Sequence, residues 1–140
     1  MYRINKSSNS IQRLDKKSFS GLGFRERDHL QEWIAKQPDV LGEDFLIIQK
    51  EFSGFSDTQE RLDLLALDKQ GALVIIENKL DDSGRDVTWQ ALKYASYCSG
   101  LSKSNIANIY QNYLDKVQPG AKAEDLLCEF FGNQDFTDIT

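Results

Sequence analysis

Asp63 on one short apolar stretch, with Glu77 and Lys79 on the next, is the grouping in this sequence most capable of chemistry. The two stretches, residues 61–68 and 72–80, are rich in branched apolar side chains and flank Lys69-Gln70-Gly71. A glycine there suits the left-handed last position of a three-residue hairpin loop. With that loop, Leu67 faces Leu73, Leu65 faces Ile75 and Asp63 faces Glu77. All six share one side of a sheet, because strand side chains alternate, and Lys79 joins them just beyond Glu77. The opposite side carries Leu62, Leu64, Ala66, Val74, Ile76 and Leu80, interrupted by Asn78.

Carboxylates directly opposed across two strands have Cβ atoms about 4.5–5.5 Å apart and repel one another. A divalent cation held by both offsets that repulsion. Mg²⁺ suits one or two carboxylates completed by water and phosphate oxygens. Lys79 offsets part of the repulsion without any metal. A salt-bridged strand end, with both carboxylates paired to Lys79 or Arg61, uses the same residues, so the pair by itself leaves both readings open. A two-residue loop would instead set Asp63 opposite Ile76 and scatter the cluster.

Several elements must hold this hairpin in place. A helix is predicted from Arg25, with Leu30, Trp33, Ile34 and Gln37 at helical spacing and Pro38 as its stop. Residues 45–52 alternate and predict a strand, followed by a polar loop over 53–60. After the hairpin, Asp81-Asp82-Ser83-Gly84 reads as a solvated turn leading to a helix over 86–99, with Gly100 beyond it. Two more amphipathic helices are predicted over 104–117 and 123–131.

In this order the residues resemble the PD-(D/E)XK nuclease superfamily, with its restriction-endonuclease-like fold, and look nearest to RecB-like and NucS-type endonuclease domains. The resemblance is carried by Arg61-Leu62-Asp63-Leu64-Leu65, by Val74-Ile75-Ile76-Glu77-Asn78-Lys79, and by a helical Gln90-x-x-x-Tyr94. The helix over 26–34 and Pro38-Asp39-Val40-Leu41-Gly42 look like the opening element of the NucS-like branch. It implies a nuclease that uses Mg²⁺ or Mn²⁺, bound by Asp63, Glu77 and the backbone carbonyl of Asn78. It further implies that Lys79 orients or deprotonates the attacking water, that Gln90 positions the site, and that Glu26 aids the metal. Tyr94 would brace its helix or touch a nucleic-acid backbone. The family core adds a strand after this helix, whereas nothing past Gly100 reads as one. Either the chain is a piece of a longer protein, or the sheet ends at an exposed edge that invites a second copy.

Composition agrees with a globular domain: 140 residues, 40% hydrophobic and 28% charged. The apolar run 72–76 is too short to span a bilayer, and the polar N-terminus lacks the apolar stretch of a secretory signal. Cys98 and Cys128 are isolated and expected to be free, partly buried thiols; the cytoplasm is the expected compartment. The formal net charge is −5, yet residues 1–27 hold seven Lys or Arg against two acids. Lys16, Lys17, Arg25 and Arg27 are therefore candidates to follow a phosphate backbone, and a solvated leader with no binding role explains the same residues.

His29, the lone histidine, is expected to be solvated or capping, and Trp33 and Trp89 to be core. The expectation is an α/β domain with a restriction-endonuclease-like mixed sheet flanked by helices. A basic, loosely ordered arm (1–24) precedes a core (25–100), and a helical extension (101–140) follows. Such a domain would hydrolyse phosphodiester bonds in nucleic acid, DNA before RNA, unless it is a non-cleaving binding or dimerisation module of the same fold.

Overall fold

The computed structural model describes residues 1–53, 61–79 and 85–138; for residues 85–88 and 90 it describes the backbone. The polar loop predicted over 53–60 and the turn at 81–84 thus lie almost wholly outside the described residues.

The centre of the molecule is a three-stranded sheet in the order β3 (Leu46–Phe52), β4 (Leu62–Leu67), β5 (Leu73–Ile76), antiparallel throughout. The expected mixed sheet is therefore corrected. Successive strands here join by reversals, and a parallel neighbour would need a crossover to a further strand. No residue described after Cys98 is in a strand. The outer edge of β5 has no strand partner among the described residues.

β4 is almost uniformly apolar because both its faces are covered. Leu65 and Leu67 look towards α2 (Arg85–Cys98), α3 (Lys103–Val117) and α4 (Ala123–Phe130), packing with Tyr94, Cys98, Ile106, Tyr110, Leu114 and Leu127. Leu64 and Ala66 look the other way, with Ile47 and Ile76, against Ile34 of α1 (Gln31–Lys36). The helices after residue 100 thus close the same core as β4. A capping box starts α3, with the Ser102 side chain accepting from the Asn105 amide.

The first helix departs from its expected winding. Residues Glu26–Leu30 form a π turn before α1 begins, and the helix ends before Pro38. Ile34 packs against the sheet and Gln31 is buried, whereas Trp33 stays 39% exposed among Phe19, Phe24 and His29. Trp89 is 72% exposed, so neither tryptophan is core as expected. His29 does cap: its Nδ1 accepts from the Arg25 amide at 2.9 Å. In the N-terminal segment, β1 (Tyr2–Asn5) and β2 (Ser10–Arg13) pair as a hairpin whose residues are all exposed. Among the described residues, no helix is long and apolar enough to cross a membrane.

Candidate active site

The hairpin that carries the site is set by its turn. Gly71 has φ +83°, a left-handed conformation that side-chain-bearing residues rarely adopt. Asp68 fastens the loop from within, its carboxylate accepting from the amides of Gln70 and Ala72, both at 2.9 Å. The ladder then runs Leu67–Leu73, Ala66–Val74, Leu65–Ile75 and Leu64–Ile76, the register expected from the sequence.

At the far end the backbone pairing stops and side chains take over. Asp63 is the next residue on β4, and its Oδ2 accepts from the backbone amide of Asn78 at 2.9 Å. One carboxylate oxygen thus stands where a ladder carbonyl would have been. Glu77 follows β5 on the opposing segment, and its carboxyl is pushed up to about 7. Burial is the main cause and the Asp63 charge the second; Lys79 and the Asp63 backbone amide pull the other way. Its Oε1 is buried and has no hydrogen-bond partner among the described residues. Lys79 lies with its Nζ 3.7 Å from Glu26 Oε2, so the π turn reaches the same place.

The structure therefore brings together Asp63, Glu77, Asn78, Lys79 and Glu26. Asn78, whose carbonyl the resemblance gives to a metal, is fixed through its amide to Asp63. Gln90 has its backbone on α2, and its side chain lies outside the described residues. Tyr94 is corrected as a nucleic-acid contact. It is 1% exposed, and its hydroxyl donates to the Arg61 carbonyl at 3.0 Å, bracing the start of β4. A buried phenol with its hydroxyl engaged cannot reach a phosphate.

The basic candidates are spread over the surface. Arg25 pairs with Asp28 at 3.2 Å, and Arg27 with Glu51 at 3.4 Å, where Arg61 also approaches to 3.8 Å. Lys16 and Lys17 are exposed, in the segment after β2. Exposed pairs of this kind are worth about 0–1 kcal/mol each and yield readily to another anion.

As a donor set, two neighbouring carboxylates, one with a buried oxygen lacking a partner, suit a hard cation such as Mg²⁺. Among the described residues no three His, Cys, Asp or Glu side chains form a cluster of metal-binding size, so the two carboxylates would need water or phosphate oxygens beside them. One buried polar residue on the helix that carries Glu26's turn goes unnoticed in the sequence. Gln31, 1% exposed on α1, has neither amide atom bonded among the described residues. A glutamine between Leu30 and Glu32 reads as surface, and here it directly follows the π turn.

Comparison with protein-family models, with curated proteins and with solved structures finds no match to this chain.

Proposed function

We propose that this chain is a metal-dependent nuclease domain of the PD-(D/E)XK kind, with a restriction-endonuclease-like core, acting on phosphodiester bonds in DNA before RNA. The observation that carries the reading is the approach of Asp63 and Glu77 at the open end of the β4–β5 ladder, with one buried Glu77 oxygen lacking a partner among the described residues and Lys79 beside it. An unpartnered buried carboxylate oxygen is costly, and a bound cation offsets that cost. Asp63 and Glu77 would hold Mg²⁺ or Mn²⁺, helped by the Asn78 carbonyl. When bound, the ion would supply a lowered water pKa and polarisation of the phosphate.

The chain's own residues would do the rest. Lys79 would place its ammonium against the attacking water or the phosphate oxygens. Glu26, 3.7 Å from that ammonium, would hold it at the site until substrate arrives. Gln90 would position the site from α2, and Lys16, Lys17, Arg25 and Arg27 would meet the phosphate backbone. The cytoplasm is the proposed compartment.

Cleavage of labelled DNA with and without Mg²⁺ tests this. Lys79→Ala is expected to cut about a hundredfold to a thousandfold more slowly while keeping the thermal shift on Mn²⁺ addition. Asp63→Ala is expected to lose both. A second reading, a non-cleaving binding or dimerisation module, is favoured by the Lys79–Glu26 contact, which makes the lysine part of an ion pair. Unchanged melting across a metal series, together with no cleavage, would establish it instead.

A further inference from the structure

Among the described residues, the buried side-chain polar atoms without a hydrogen-bond partner fall in two short segments. Gln31 Nε2 and Oε1 end the π turn, and Glu77 Oε1 with Asn78 Nδ2 and Oδ1 follow β5. Gln31 is 1% exposed and Asn78 is 3% exposed, so bulk water does not satisfy either carboxamide. A buried amide without a partner costs roughly 1–3 kcal/mol, and native folds keep few of them.

The winding of the helix sets the direction of Gln31 relative to Glu26. In an α-helix, five residues advance one full turn plus about 140°, which would put Glu26 and Gln31 on different faces. Here the Gln31 amide donates to the Glu26 carbonyl, closing an i→i+5 turn that sets Gln31 over Glu26. Glu26 reaches Lys79 at 3.7 Å, so this face of the helix is turned to the segment just past β5. Asn78 comes two residues after Ile76, the last residue of β5, and Ile76 packs with Ile34 of the same helix. π turns of this sort recur at functional sites because they rotate one side chain out of the regular pattern.

We propose that Gln31 is a positioning residue of this site: its carboxamide and that of Asn78 share a buried water that ties the π turn to residues 77–78 and fixes Glu77 and Lys79. The positioning role rests on the nuclease reading. The water does not. Buried waters of this type make about three hydrogen bonds to groups the fold leaves open.

Two measurements on the full chain test it. A metal-free crystal structure at high resolution is expected to show one ordered water within hydrogen-bond distance of both carboxamides. Finding none, or the amides bonded to each other, overturns the inference and leaves the nuclease reading standing. Gln31→Met keeps the shape without the amide. It is expected to melt within a few degrees of wild type, to bind Mn²⁺ about 10–100-fold more weakly by calorimetry, and to lose kcat with KM unchanged. Equal Mn²⁺ affinity in Gln31→Met and wild type overturns the positioning role. Wild-type protein that takes up no Mn²⁺ overturns the nuclease reading and the positioning role with it, whatever the water shows.

Discussion

The two ends of the β4–β5 hairpin carry acidic residues to opposite purposes. At the turn, Asp68 accepts two backbone amides and Gly71 supplies the left-handed residue, so each group named there has its partner. At the open end, Asp63 accepts the Asn78 amide, but Glu77 is half-buried, with an oxygen that has no partner among the described residues and its carboxyl pushed up to about 7. The first end is built for folding. The second carries an electrostatic cost that a bound cation would offset, as the proposed function requires.

That contrast breaks most sharply through Glu77→Gln. Turnover is expected to fall at least about a thousandfold, while the protein stays folded; single-turnover kinetics beside calorimetry check both. Retained cleavage would make the open end merely a second salt-bridged strand end.

The turn end gives the converse. Asp68→Ala, which hands the exposed loop amides to water, is expected to cost about 0.5–1.5 kcal/mol of stability with cleavage unchanged. Gly71→Ala is expected to cost about 1–2 kcal/mol through strain at positive φ. Urea denaturation of both variants, with activity measured on the folded protein, decides whether the two ends are separable.

A smaller effect sharpens the contrast through pH. The Glu77 carboxyl ordinarily titrates near 4.5 and is pushed up to about 7 in the fold. The folded state therefore holds this proton more tightly than the unfolded chain does. Stability from this group is present below pH about 4.5 and is lost as pH rises to about 7. Glu77→Gln should melt higher than wild type at pH 8 without metal, and the difference should vanish near pH 4. An equal gap at both pH values would remove the buried-carboxylate account. Smallest of all, Arg25→Ala should change stability by no more than about 0.5 kcal/mol, since its partner Asp28 is likewise exposed.

The hairpin was legible because turn chemistry and strand alternation are local rules. A glycine at the last loop position and apolar residues on both flanks dictate one register, and that register alone opposes Asp63 to Glu77. The first helix was legible only in outline. Its apolar spacing assumes regular α winding, and nothing in Glu26-Arg27-Asp28-His29-Leu30 announces a π turn. Ile34 and Leu30 of the expected face do pack against the sheet, whereas Trp33 is 39% exposed and Gln31 is buried. Tyr94 could not be read either, because burial and an acceptor at Arg61 depend on how α2 lies across β4. In the N-terminal segment, Ile4 opposes Ile11 and Tyr2 opposes Arg13, but strands this short and this exposed leave too little alternation to announce themselves.

Everything about the open end returns to whether Asp63 and Glu77 share an ion. Crystals soaked in Mn²⁺ and measured at a wavelength that reveals manganese answer this directly. The account predicts one anomalous peak within about 2.0–2.4 Å of a carboxylate oxygen from each residue. A peak elsewhere, or none between them at millimolar Mn²⁺, would contradict it.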